Sequence, residues 1–391
     1  AVYEMWAELY PQDIQAQRAA AEVRNLQDDR IGAIEKLEQV LELNPTDLGL
    51  LQEIGSLYQA LGDLDTARRY FQRYADANPE DKESFTALAG LDRDLGDHAQ
   101  ARELYERARL LEPGDLQLTL DLAALDRDVG DFEGAKEGYE RALAAAGTAA
   151  QRYRALRGLR QLHEYRGSYR AALEDLQREM MEFDASQPPL ARVQFRLLTL
   201  GLYIRAGQPD KALAMLDSMA IQLQAPMNSV VPLGQIRVFE ALGRVVELEA
   251  AVDSAQAVLD RTGLNTLEST VVWGRGRLHE LRGEWEDAIA AFERERELSP
   301  TDAEIPARLG RCHREQGDLD RAESLILETL RARPSYGPAH LELARVYEAM
   351  DRPLDAIQHL EQALETWAPA DPDYQPAQEA RAMLERLRAT A

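Results

Sequence analysis

The sequence predicts an all-α solenoid of about ten helical hairpins with a C-terminal capping helix. Three columns carry that expectation. Ala33, Ala67, Ala101 and Ala135 stand 34 residues apart; so do Pro45, Pro79 and Pro113, and so do Gly62, Gly96 and Gly130. A fixed period of this length marks stacked supersecondary units, each too small to bury its apolar face alone. At 391 residues the chain also exceeds what one compact core ordinarily holds.

The unit from Leu48 to Asp81 shows the logic. Leu51, Ile54, Gly55 and Tyr58 share one helical face, and Gly62-Asp63 breaks that helix. A second helix carries Ala67, Phe71 and Tyr74, and Pro79 stops it. Numbering each period from the start of its first helix, position 8 is small: Gly55, Ala89, Ala123, Gly276, Gly310 and Ala344. Position 20 continues its alanines through Ala172, Ala212, Ala288, Ala322 and Ala356, which allows close packing of the two helices. Position 24 is a bulky knob, as in Phe71, Tyr105, Tyr139 and Phe292. Asp63, Asp97, Asp131 and Asp318 follow the helix break as N-caps, and Asp97 with Gln100 has capping-box spacing.

This pattern resembles the tetratricopeptide family, whose period is also 34 residues. The resemblance spans nearly the whole chain and implies a right-handed α-α superhelix. It further implies that the first helix of each pair lines a concave trough, with positions 2, 5, 9 and 12 turned into it.

Hairpins are expected to start near Ile14, Leu48, Lys82, Leu116, Tyr153, Val193, Ser229, Ser269, Ala303 and Gly337. The resulting organisation is the second helix of a truncated repeat (1–13), four regular repeats (14–149), three irregular hairpins (150–268), three regular repeats (269–372) and a capping helix (373–391). In the irregular stretch the position-20 steps are 37, 40, 36 and 40 residues, and position 20 of the seventh hairpin is Leu248. Position 8 there is Arg160, Leu200 and Ile236. Longer helices or loops are expected around Ser186–Leu190, Ala225–Pro232 and Thr262–Thr266.

Tyr3, Trp6 and Pro11 match positions 24, 27 and 32 of a repeat whose first helix is absent, so the chain is expected to continue a longer protein. At the other end Ala380, Met383, Leu384 and Leu387 form the apolar stripe of the cap, opposite a charged face. The segment from Trp367 to Asp373, with Pro376 and Ala380, and the phrase Tyr3-Glu4-Met5-Trp6 with Tyr10-Pro11, are similar to the C-terminal repeat region of bacterial multidomain signalling proteins. In that group the repeats follow a protein-kinase or adenylate-cyclase module, often with a TolB-like region between. The resemblance implies what precedes such a chain, not an activity of it. The compartment follows the same fork: cytoplasmic for a free-standing protein, extracytoplasmic or periplasmic behind a membrane-spanning module.

The formal net charge of −24 disfavours nucleic acid, which needs a cationic footprint. No apolar run approaches the ~18–20 residues of a membrane span. Cys312 stands alone and is expected as a small buried hydrophobe. No P-loop or nucleophile elbow is present. Gly274-Arg275-Gly276 lacks the third glycine of a dinucleotide fingerprint, and Gly276 already serves as the small position 8. His163-Glu164 and His279-Glu280 lack a second histidine four residues on. Asp92-Arg93-Asp94-Leu95-Gly96-Asp97 lacks the spacing and closing glutamate of a calcium loop. The sequence therefore offers no catalytic, metal-binding or cofactor residues, and the expected function is non-enzymatic.

Down the array, position 9 reads Glu22, Ser56, Gly90, Ala124, Gln161, Gly201, Arg237, Arg277, Arg311 and Arg345. Four arginines, roughly 10 Å apart at one helix-pair width, with Arg314 and the position-5 indole of Trp273, form the candidate partner site. A basic ladder of this kind grips acidic side chains or a carboxylate. The competing reading is intrahelical: Arg237, Arg277 and Arg345 each have a glutamate three residues on (Glu240, Glu280, Glu348). The carboxylate clamp of chaperone-binding tetratricopeptide domains has lysine at position 5 and asparagine at position 9. Here Arg18 with Glu22 and Gln52 with Ser56 stand there, which disfavours a chaperone tail. The expected role is a protein-interaction scaffold holding a protein or peptide segment, with self-association left open. The alternative is a small-ligand sensor seated at the irregular middle hairpins.

Overall fold

The computed structural model describes residues 2–27, 29–224, 227–262 and 268–390. Among them are twenty-two α-helices, one short 3₁₀ helix and no strand. No helix among these residues is long and apolar enough to cross a membrane. The chain divides into two compact units, residues 1–118 and 119–391.

The first unit contains α1 (Val2–Leu9), α2 (Ile14–Leu26), α3 (Arg30–Leu43), α4 (Leu48–Ala60), α5 (Leu64–Ala77), α6 (Lys82–Leu95) and α7 (His98–Leu111). From α2 onward they pair as antiparallel hairpins. Ile34, Leu37, Leu50, Leu51 and Ile54 share one core with Tyr74. The column logic is visible at Gly55, where an added Cβ would stand 2.6 Å from the Phe71 ring. Only a side chain of hydrogen lets that knob seat. Ala67 and Ala101 are fully buried.

The second unit runs from α8 (Leu116–Val129), whose first turn lies at the boundary, through α9 (Phe132–Ala145), α10 (Ala149–Tyr165), α11 (Tyr169–Ser186), α12 (Pro189–Arg205) and α13 (Pro209–Gln222). It continues with α14 (Val231–Ala241), α15 (Val245–Thr262), α16 (Glu268–Arg282), α17 (Trp285–Leu298), α18 (Ile305–Glu315) and α19 (Leu319–Ala332). The last three are α20 (Gly337–Ala349), α21 (Pro353–Thr366) and the capping helix α22 (Gln375–Thr390). The irregular steps are taken up by helix length: α10 and α12 have 17 residues and α11 and α15 have 18, against 14 in α9, α17 and α19. Leu248 fills the alanine slot fully buried. Within the loops expected at 225–232 and 262–266, residues 225–226 and 263–266 lie outside the described set.

Helix ends follow local chemistry. Gly62, Gly96 and Gly130 take φ of 78°, 85° and 93°, and Asp351 occupies the same slot at 57° in the last hairpin. Asp63, Asp131 and Asp318 accept cap bonds from Thr66, Gly134 and Arg321. Asp97 departs from expectation: its side chain makes no cap bond. Arg68 draws the carboxylate away, donating to Asp97 Oδ2 at 3.1 Å. A capping box forms instead at Thr148 and Gln151.

The trough of the second unit is closed, not open. Ser335 Oγ donates to Arg127 O at 2.9 Å and meets Tyr165 Oη at 3.1 Å. Asp371 N–H donates to Gly167 O at 3.0 Å, Ser168 Oγ to Pro369 O at 2.7 Å, and Arg170 grips both oxygens of Asp373. These contacts join residues about two hundred positions apart and turn hairpins four to ten into a ring.

Candidate binding surface

First helices α14, α16, α18 and α20 carry the position-9 arginines. Arg237 on α14 lays its guanidinium over the Trp273 ring, 3.7 Å from the centroid. Trp273 itself is buried, packed with Ile236, Leu248, Val252 and Leu278. The indole is therefore part of the core and Arg237 is its lid. Burial pulls the Arg237 pKa down to about 10, with Glu240 opposing and Arg205 and Arg308 reinforcing the shift.

Arg277 on α16 donates to Glu240 Oε1 from Nε and Nη2 at 2.9 and 2.8 Å, and from Nη1 to Glu280. Glu280 also meets Arg311 Nε at 3.3 Å, and Cys312 Sγ donates to it at 3.8 Å. Cys312 is fully buried, and burial with the Glu280 charge pushes its thiol up to about 12. Arg314 pairs with Glu315 at 2.8 Å and Glu342 at 3.3 Å, while Arg345 pairs with Glu342 and, at 2.5 Å, with Glu379.

Arginines and carboxylates thus interleave along the wall, and the pairing is mostly between hairpins. Of the three intrahelical pairs considered, Arg277 with Glu280 forms; Glu348 goes to Arg386 at 2.6 Å. The ladder is a zipper of alternating charge rather than a bare cationic stripe. Arg311 is its most loosely held ion-paired member, with 36% of its side chain exposed and its contact, at 3.3 Å, made to a glutamate shared with Arg277.

Beside Arg311 a cavity of about 260 Å³ opens between α18 and α20. Ala307, Pro338, Leu341 and Pro376 give it an apolar floor, and Arg308, Arg311 and Arg345 stand around it interleaved with Glu280, Glu304 and Glu342. Arg308 had no signal in the position-9 column, since it sits at position 6. It donates to Glu295 at 2.9 Å and Glu304 at 3.3 Å, and those charges hold it cationic despite burial. Arg333 donates to the same Glu304 at 2.7 Å. The two arginines hold the Glu304 carboxyl below its usual range, although burial alone would raise it.

In the first unit, a cavity of about 780 Å³ lies along α2 and α4, lined by the position-9 residues Glu22 and Ser56 with Gln15, Arg18 and Gln52. Arg18 is already paired with Asp47 at 2.8 Å. Among the described residues one group, His279, Glu284 and Asp287, brings possible metal-ligating atoms within 4.8 Å of one another. Glu284 and Asp287 are exposed there, and Glu284 occupies the N-cap position of α17.

Residues 26–91 and 281–335 match a family model described as a tetratricopeptide repeat, and residues 239–303 match a second one of the same description. No curated protein matches the sequence. Among solved structures, the TPR domain of P58(IPK) aligns with 88% of this chain and 98% of its own, at 18% identity and a TM-score of 0.28. A tetratricopeptide repeat protein from Parabacteroides merdae aligns with 70% of this chain and 98% of its own, at 15% identity and a TM-score of 0.42.

Proposed function

The chain is a tetratricopeptide repeat protein, and from that premise we propose that it captures a peptide segment of another protein on the inner wall of its second unit. Repeats of this family generally mediate protein–protein interaction and are generally non-enzymatic. The segment that fits has an apolar side chain next to a carboxylate.

The cavity between α18 and α20 carries this reading. Its floor of Ala307, Pro338, Leu341 and Pro376 suits an apolar anchor. Arg311, exposed at its edge, suits the carboxylate, because its contact with Glu280 at 3.3 Å is long for a charge-assisted bond. Arg277, Arg314 and Arg345 are then supports that fix the wall, and Arg237 with Trp273 holds the helix behind it. The chain's net charge of −24 slows the approach of an acidic partner, so affinity for it must come from this local site.

Selection of peptides from a displayed random library, followed by fluorescence anisotropy, tests the proposal. Enriched peptides should place Asp or Glu beside Leu, Ile or Phe. Arg311→Glu should weaken them about tenfold or more, and Arg311→Lys less. Equal binding by wild type and Arg311→Glu would remove the site.

A further inference from the structure

Where the ring closes, a second cavity of about 290 Å³ lies among α8, α10, α11, α12 and the segments before α18, α20 and α22. Its size is at the lower end of small-molecule sites. Four guanidinium groups line it, from Arg127, Arg160, Arg205 and Arg333, against two carboxylates, Glu164 and Glu304.

Three of those cations are spoken for. Arg127 donates to Asp128 at 2.7 Å. Arg160 is held by Glu164 and by the fully buried Glu179, the latter at 2.5 Å. Arg333 donates to Glu304 at 2.7 Å. Arg205 is different. Its nearest carboxylate is Glu240 at 3.9 Å, beyond hydrogen-bond distance, and Glu240 already receives two bonds from Arg277. Arg205 lines the cavity and keeps 46% of its side chain exposed. Burial works against its charge, and Tyr169 with Glu240 and Glu164 outweighs that and holds it cationic.

The rest of the wall is phenolic. Tyr169 and Tyr374 pack at a tilt of 52° with centroids 5.5 Å apart, and Tyr165 and Tyr336 at a tilt of 49° and 5.4 Å. Burial raises all four phenol pKa values, so the hydroxyls stay protonated at neutral pH; Tyr336 is bonded to Glu304, Tyr374 to Tyr169, and Tyr165 meets Ser335, which leaves the Tyr169 hydroxyl to donate. A charged fork, a phenol donor and flat apolar ring faces form one complementary set.

We infer that this cavity binds a small organic oxyanion, a carboxylate or phosphate monoester carrying a flat apolar group, with Arg205 as its ion-pairing residue. The bound molecule ties α10 and α12 to the segments carrying Tyr336 and Tyr374, and so fastens the ring. The two cavities share Glu304, Tyr336, Pro338 and Tyr374 as walls, but the anion rests on Arg205 and peptide capture on Arg311.

Isothermal titration calorimetry of the full chain with inorganic phosphate, phenyl phosphate and phenylacetate tests the inference. At least one anion should bind saturably at millimolar concentration. The two phenyl compounds separate phosphate from carboxylate preference, and inorganic phosphate reports what the ring contributes. Arg205→Gln should weaken the best anion about tenfold or more, Arg205→Lys less, and Arg311→Glu not at all. Among the described residues Arg205 has no hydrogen bond that the substitution would break, and matching thermal melts of wild type and Arg205→Gln without anion verify the fold. Should the melts differ, the comparison passes to Arg205→Lys and Tyr169→Phe, which must each weaken the anion. No saturable binding by any of the three anions, or equal binding by wild type and the Arg205 variants, overturns the inference.

Discussion

Arg237 covers the indole of Trp273 with its guanidinium plane, 3.7 Å from the ring centroid. Two effects are combined in that contact: the plane shields an apolar ring from water, and a charge is held where burial pulls its pKa down to about 10. They separate by substitution. Arg237→Ala uncovers the ring and should cost about 1–2 kcal/mol in an unfolding titration. Acrylamide quenching of tryptophan emission should rise, and Trp273→Phe in the same background should abolish that rise, which identifies the indole among the four tryptophans. Arg237→Met keeps the cover without the charge and should be neutral or stabilising. A destabilisation by Met equal to that by Ala would mean the charge is what matters.

Glu280 joins three side chains of two hairpins: Arg277, Arg311 and Cys312. It is 5% exposed, so removing its main cation strands a buried carboxylate. Arg277→Met should therefore lower stability by about 2–4 kcal/mol in urea unfolding. Adding Glu280→Gln should return part of that loss, because the second substitution removes the stranded charge. Additive losses in the double variant would show that Arg277 acts through packing alone.

The ladder of hairpins was legible because its causes are local and periodic. Gly55 under Phe71, Ala67 at the helix crossing and Asp63 at the cap are each dictated within one 34-residue unit. The arginine column was legible as positions, but its chemistry was not. Arg277 pairs with Glu240, 37 residues earlier, as well as with its own-helix Glu280. That pairing had a signal, since Glu240 and Glu280 both occupy position 12, one turn beyond the arginines. Ring closure had none. Ser335 reaches the Arg127 carbonyl through its hydroxyl and Asp371 reaches Gly167 through loop backbone, with no column linking them. Tyr374 sits in a connecting segment and Arg205 at a helix end, so no periodic reading brings them to one cavity.

Gly167 is the tightest point of that closure. Its φ is +72°, and an added Cβ would stand 2.6 Å from the Tyr374 ring. Gly167→Ala therefore strains the backbone by about 1–2 kcal/mol and pushes Tyr374 off its seat. Hydrogen exchange should quicken at the Asp371 amide, which donates to Gly167 O at 3.0 Å, while the helices of the first unit keep their protection. Unchanged exchange at Asp371 would mean the ring is held elsewhere.

His340 and His359 give the last hairpin an acid limit. Their rings stack with centroids 5.1 Å apart, and the two Nδ1 atoms meet at 2.9 Å. His340 Nε2 lies 2.7 Å from Pro334 O, which can only accept, so Nε2 carries the proton and Nδ1 of His340 accepts from His359. A second proton on His340 has no place to go without breaking that contact. Burial lowers the His340 pKa to about 4, opposed by the Pro334 carbonyl and reinforced by His359; His359 is lowered too, by burial. The folded state thus binds fewer protons than the unfolded one between pH ~6.5 and ~4, so stability is complete above that window and falls as the pH drops through it. The loss from His340 approaches about 3 kcal/mol at the lower edge. Urea midpoints measured from pH 7 to pH 4.5 should decline, and His340→Gln should flatten the decline while lowering the neutral value. An identical slope in that variant would assign the acid sensitivity to the carboxylates of the wall instead.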